Sequence, residues 1–191
     1  MGQNPDVERI AETHYVIRAM MVNALKNQIL TPYGRQVTGG HENYFDMWQS
    51  GMGDRFFDMA TMVRLGTAVE VGLREHHRTT GAVPYNNGIY QRLVEPTELI
   101  ELFKHDCMYD LENNPFWASA REVMVHRHLY AHRSGLVDDK YITDLQRITG
   151  QDIRPSLVSM NYPIEQVYWF KPLDKLHDYI ESMRSFFKAL N

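Results

Sequence analysis

The sequence predicts an all-α fold: an antiparallel bundle of four to five main helices with a small irregular or β-like insertion before the C-terminal helix. Three observations carry this reading. Apolar residues recur at three- and four-residue spacing through most of the chain. Clusters of Gly, Pro and Asn interrupt that pattern at helical lengths. One stretch, Ile153 to Phe170, loses the period and carries two prolines and the run VYWF instead.

The first helix is expected over residues 7–30. Val7, Ile10, Ala11, His14, Ile17, Met21, Ala24 and Leu25 form its inward stripe, and Pro32, Gly34 and Gly39–Gly40 break it. A second long helix is expected over 54–77 with Asp54 as N-cap. Its stripe runs through Phe56, Met59, Ala60, Val63, Thr67, Glu70 and Leu73, with Phe57 and Leu65 to the side. Gly66 and Gly72 weaken this helix intrinsically but allow another helix to approach closely.

Residues 79–96 read as a loop, since TTGAVPYNNG carries almost every turn-forming residue. Thr97 is expected to cap a helix of about four turns through Leu111, with Glu98 at its positive end. Asn114 and Pro115 open the next helix, which ends near Ser134 because Gly135 is a natural left-handed terminator. Asp138 to Ile148 supports another short helix. Pro172 opens the final one, with Leu173, Leu176, Ile180, Met183 and Phe187 as its stripe. No repeat or low-complexity segment divides the chain, so residues 1–191 are read as one domain.

The formal charge of −4 argues against a broad basic surface for duplex nucleic acid, though not against a local cationic cleft. Cys107 is the sole cysteine, so no intrachain disulfide forms and a reducing, cytoplasmic setting is the natural reading. Its apolar neighbours mark a buried structural thiol rather than a nucleophile. The opening MGQNPDVERI lacks a basic apolar signal, and no apolar run approaches bilayer length.

The stretch HRHLYAHRSGLVDDKY, His126 to Tyr141, concentrates chemistry at one helix end. Arg127 is a permanent cation whose planar fork matches phosphate geometry. His132 ionises near neutrality and exchanges protons there. Together they suit cleavage of a phosphodiester.

Arg127-His128-Leu-Tyr-Ala-His132 fits the pattern Arg, then Asn, Asp or His, then three residues, then His. This resembles the HEPN superfamily (higher eukaryotes and prokaryotes nucleotide-binding). The following SGLVDDKY is similar to the G-x-V-D-x-x-Y tail of several bacterial HEPN groups. The motif-specific resemblance covers residues 116–145. It implies a four- or five-helix bundle that dimerises through the motif helices. It also implies a metal-independent endoribonuclease without cofactor, of the kind found in toxin–antitoxin, abortive-infection and stress-response systems. Arg127 and His132 would be the catalytic pair and His128 the adjacent polar residue. RNA would be the substrate, with an antitoxin or regulatory protein as a further partner. Other members of the family have lost catalysis and only bind nucleotides or partners, which is the alternative function.

Beyond the motif, Glu70 is a candidate acidic partner for Arg127, and Arg133 a supporting cation. Tyr130 reads either as a stacking partner for a base or as core. Arg127 and His132 lie five residues apart, about 140° around a helix. A homodimer is therefore expected, so that two motif helices offer both residue types to one groove. A competing reading makes Arg127 and His132 a buried pair, salt-linked to Glu122 or Glu70, that fixes helix packing. His128 and His132 share a face at i, i+4, as zinc ligands often do, but no third ligand is evident. His76–His77 read as solvated helix-end residues, and His41-Glu42 lacks an HExxH completion. Met20, Met21, Met59, Met62, Met124 and Met160 read as core filler.

Overall fold

A computed structural model describes residues 4–26, 52–85, 88–158, 160 and 162–190. Among them the chain forms seven α-helices: α1 Pro5–Lys26, α2 Met52–Thr79, α3 Thr97–Asp106, α4 Trp117–Arg133, α5 Asp139–Thr149, α6 Arg154–Val158 and α7 Leu176–Leu190. They build an all-α bundle. The most extensive packing is between α2 and α4; α1 and α7 pack on α2 and on each other, and α5 packs on α4. The expected 27–30 end of the first helix, its Pro32–Gly40 break and His41-Glu42 lie outside the described residues.

The core sits where these helices meet. Met62, Leu65, Val69 and Leu73 of α2 are buried with Ala120, Val123 and Leu129 of α4 and Ile180, Met183 and Phe186 of α7. Every residue of the α7 stripe is buried. Arg184 of α7 donates from Nε and Nη2 to Glu8 of α1, at 2.6–3.0 Å, pinning those two helices together at the rim.

The inward face of α2 is rotated from the expected one. Met59, Glu70 and Leu73 are buried, but Ala60 and Thr67 are exposed and Phe56 is 51% exposed. Three helices pack on α2. Its buried arc is therefore wide and centred on Met62, Leu65 and Val69, which a single narrow stripe does not capture.

Gly72 shows why α2 carries glycines. A Cβ there would lie 2.3 Å from Asn4 Nδ2 and 2.4 Å from the buried ring of Phe187. Gly72→Ala gains about 1 kcal/mol of helix propensity but overpacks the α2–α7 contact by roughly 1–3 kcal/mol. We expect a net loss of stability, read as a lower urea midpoint with unchanged slope.

Several boundaries differ from the sequence reading. Helix α3 starts after Pro96, with no side-chain cap from Thr97, and ends at Asp106 rather than Leu111. The chain turns there through Met108 at φ 53°, and the Cys107 and Tyr109 amides both bond back to Phe103 O. Asn114 accepts from the Phe116 amide at 3.0 Å, but α4 begins only at Trp117. Asn114 serves the core as well, donating to Tyr109 Oη and Phe186 O. At the other end of α4, Ser134 (φ 52°) and Gly135 (φ 93°) are both left-handed, and the Gly135 amide caps Leu129 O. Asp138 then opens α5 by accepting from the Tyr141 amide at 2.8 Å.

Among the described residues, the 150–172 stretch holds no strand pair. It forms α6, a 3₁₀ turn at Ile164–Gln166 and one antiparallel bridge between Leu136 and Tyr168. Val167 and Trp169 point inward and Tyr168 outward, which is the strand-like alternation seen in the sequence. Their partner is the α4–α5 connection, not a second strand of the insertion. Trp169 anchors it: its amide donates to Gly135 O at 2.9 Å and its carbonyl accepts from Tyr130 Oη at 2.8 Å.

Of the methionines read as core filler, Met59, Met62 and Met124 are buried, whereas Met20 and Met160 are exposed. Among the described residues, no helix is long and apolar enough to cross a membrane.

Candidate functional site

The C-terminal half of α4 forms one wall of an open groove of about 570 Å³. Arg127, His128 and His132 line it from α4, Lys140, Asp144 and Arg147 from α5, and Gln91, Arg92, Glu95 and Glu98 from the 91–98 segment. Both His128 and His132 are exposed, and their ring centroids lie 4.9 Å apart. Burial chiefly, and then the neighbouring His132 and Lys140, lower the His128 pKa below the usual imidazole value. His128 is therefore neutral at neutral pH, with a lone pair available.

Arg127 lies deeper, its side chain 21% exposed. Its stem crosses Gly66 of α2, where a Cβ would come within 2.6 Å of Arg127 Cβ and Cδ. The missing side chain of Gly66 is the seat of the arginine. Arg127 Nη2 lies 3.7 Å from Glu70 Oε2, while Arg127 Nε is buried without a hydrogen-bond partner among the described residues. Glu70 is itself buried and accepts from Arg74 Nη2 at 3.1 Å and Gln91 Nε2 at 2.7 Å. A carboxylate held by these two donors stays in place, and its ion pair at 3.7 Å orients the guanidinium beside it.

The expectation that two copies are needed to bring an arginine and a histidine to one groove does not hold. Arg127 and His132 line the same groove of one chain. The groove is wide, running from α4 across to the 91–98 segment, and the long Arg127 stem offsets the 140° separation on the helix. The competing reading, a sealed structural pair, also fails for His132, which is exposed.

Three other sequence readings are corrected. Tyr130 is core: it is buried, its hydroxyl is spent on Trp169 O, and burial raises its pKa far above the usual phenol value. Arg133 does not line the groove but faces the α5 cap, with Nε 3.4 Å from Asp138 Oδ2. His77 is not solvated. It is fully buried between Tyr90 Oη (2.6 Å) and Asp106 Oδ2 (2.8 Å), and His76 stacks on Phe103. These two histidines and their partners fasten the 80–93 loop and α3 to the end of α2. Cys107 is half-buried rather than enclosed, and burial raises its thiol pKa, as befits a structural residue.

His128 and His132 do share a face, yet no group of three or more His, Cys, Asp or Glu able to hold a metal ion occurs among the described residues.

The sequence reading missed the opposite wall. Residues 91–96 look like loop and Thr97–Glu98 like a helix start, and nothing among them spells a motif. Arg121 fixes this wall, donating from Nε to Leu93 O at 2.8 Å and from Nη2 to Val94 O at 2.9 Å. The usable signal was the arginine at this helical position, two turns before His128 on α4. Comparison with protein-family models, with curated proteins and with solved structures yields no match.

Proposed function

We propose that this protein is a metal-independent endoribonuclease of the HEPN type. One observation carries the reading: Arg127, His128 and His132, the residues of the motif, line a single open groove with both imidazoles accessible. In this reading the RNA 2′-hydroxyl attacks the adjacent phosphorus and the P–O5′ bond breaks. His128, held neutral, takes the 2′ proton, and His132 gives a proton to the departing 5′ oxygen. Arg127 stabilises the charge that develops on the non-bridging oxygens, and Glu70 positions it. The products are a 2′,3′-cyclic phosphate and a 5′-hydroxyl end. The nucleophile and the leaving group both belong to the substrate, so the protein supplies only proton transfer and charge stabilisation.

Purified protein incubated with tRNA, mRNA and single-stranded RNA in EDTA tests this. Cleavage leaving cyclic phosphate ends, and lost in Arg127→Ala and His132→Ala, supports it. Cleavage that persists in both variants, or none by the wild type, overturns it. Nucleotide binding without cleavage would favour the alternative, a non-catalytic binding or regulatory module on the same bundle.

The pH profile is a second check. If His128 is the base, the acid limb of kcat/KM falls below the ordinary imidazole value of about 6.5. Burial sets most of that displacement, and Lys140 adds to it. Lys140→Ala is expected to move the limb upward, toward the unperturbed value.

A defence or stress role and an antitoxin partner belong to the same proposal. Toxicity on expression, relieved by a neighbouring gene product, is its readout. Dimerisation through the motif helices is proposed with it, and light scattering at micromolar concentration checks it.

A further inference from the structure

Three cations outside the motif line the same groove, and each is matched to a carboxylate. Arg147 of α5 pairs with Glu95 of the opposite wall, Lys140 pairs with Asp144, and Arg92 Nη1 lies 3.3 Å from Glu98 Oε2. The Arg147–Glu95 and Arg92–Glu98 pairs sit exposed at the rim, Arg147 at 46% and Glu95 at 74%, while Lys140 is exposed but its partner Asp144 is only 13% exposed. Arg127, by contrast, lies on the floor beside a buried glutamate.

Exposed ion pairs of this kind are worth little, because water and salt screen them and long side chains lose freedom in forming them. They are easily exchanged for a stronger anion. A phosphodiester oxygen suits a guanidinium at least as well as a carboxylate does. The cations come from two elements of the groove, two from α5 and one from the 91–98 segment. A mononucleotide engages only the floor. A strand running through the groove places neighbouring phosphates along the rim. The groove volume is that of a small-ligand pocket, which admits a single strand locally but not a double helix.

We infer that Arg92, Lys140 and Arg147 are phosphate-binding positions for nucleotides beyond the scissile bond, masked in the free protein by Glu98, Asp144 and Glu95, so that the substrate is single-stranded RNA extending beyond the cut. This rests on the proposed nuclease reading of the same groove. The mask also accounts for a nucleic-acid groove on an acidic protein: the rim repels no anion strongly and attracts none until a strand displaces several carboxylates at once.

The test uses a fluorescently labelled single-stranded DNA oligonucleotide, which lacks the 2′-hydroxyl and is not cut, and a labelled mononucleotide. Binding is read by anisotropy across a salt series. Each of Arg92→Ala, Lys140→Ala and Arg147→Ala is expected to weaken oligonucleotide binding and reduce the slope of log K against log salt by about 0.7. Arg92→Ala and Arg147→Ala leave mononucleotide binding unchanged. Glu95→Gln and Asp144→Asn keep side-chain size, remove the mask and tighten oligonucleotide binding by about two- to fivefold. Rim variants with wild-type affinity and slope overturn the inference, as does a wild type that does not bind the oligonucleotide. The two readings fail separately. RNA cleavage dependent on Arg127 but with binding blind to the rim sinks the inference and keeps the nuclease. Rim-dependent binding without any RNA cleavage does the reverse.

Discussion

On the proposed nuclease reading, Arg127→Ala is expected to slow RNA cleavage by about 10²–10³-fold, the usual consequence of deleting one preorganised donor to a developing oxyanion. The loss falls on kcat more than on KM, because the guanidinium is asked to stabilise charge that appears only in the transition state. The fold should survive. Glu70 keeps its bonds from Arg74 and Gln91 when Arg127 is removed, so no carboxylate is orphaned in the core. Arg127→Lys restores the charge but not the fork, and is expected to recover only part of the rate. Gly66→Ala separates position from identity. It leaves Arg127 and both histidines present, yet its Cβ would press to 2.6 Å on the Arg127 stem. We expect it to lower cleavage while His128 titrates as in the wild type by NMR. A Gly66→Ala enzyme as fast as wild type would show that the seat of Arg127 is unimportant to the chemistry.

The groove also shows which parts of the site the sequence could disclose. Arg127, His128 and His132 were visible as a motif because they lie within six residues of one helix, whose end Gly135 marks. Glu70 stood out as a charged residue on an apolar stripe, and the structure places it beside Arg127. Gln91, Arg92, Glu95 and Glu98 carried no signal. They reach the groove only because Arg121 holds two loop carbonyls and because Tyr90 is buried against His77. Contacts of that kind join residues 13 to 28 positions apart and leave no local period.

The same distinction runs through the fold. The facing of helix α7 was legible because one face alone is buried, so its pattern has a single phase, although Pro172 opens a 3₁₀ turn, Lys171–Lys175, and α7 itself starts at Leu176. Helix α2 was legible as a helix but not in its facing, because it is packed on several sides. Tyr130 was undecided from sequence because an aromatic ring with a polar tip suits both a core and a base-stacking role. Trp169 decides it: the tyrosine hydroxyl is the buried donor for the carbonyl that docks the 150–172 segment. That segment defeated pattern reading for a related reason. Its alternation is real, but it pairs with a single connection rather than with a neighbouring strand.

Below pH 6.5 the protein is expected to lose stability steeply, and His126 is the main cause. Its ring is fully buried behind α4, with Nε2 3.1 Å from Tyr179 Oη and Nδ1 3.1 Å from Tyr141 Oη. Tyr179 donates to Glu122 Oε2 at 2.7 Å, so its oxygen accepts from His126 Nε2–H. Nδ1 is then the acceptor for the Tyr141 hydroxyl. The chain of donors runs one way, from Tyr141 through His126 and Tyr179 to Glu122, and it requires a neutral imidazole. A proton added at Nδ1 meets a hydroxyl that already points at it. Burial, with a smaller contribution from Lys175, lowers the His126 pKa to about 3. The folded value lies below the unfolded value of about 6.5. The stabilisation is therefore whole above pH 6.5 and is lost as pH falls from there toward 3, because the unfolded chain binds a proton that the folded one refuses. The slope approaches about 1.4 kcal/mol per pH unit, or roughly 2 kcal/mol by pH 5. His14, buried beside Arg18, is lowered too and adds in the same direction. The carboxylate Asp106, held low by His105 and His77, contributes only in a more acidic window, below its unfolded value. His126→Phe fills most of the ring's space and leaves Tyr179 its bond to Glu122. It is expected to be less stable than wild type at pH 8 but to lose less between pH 6.5 and 4.5. Urea denaturation at several pH values reads both curves. Parallel curves would show that the acid sensitivity resides elsewhere, and that the buried hydrogen-bond chain through α4 tolerates a charge at its centre.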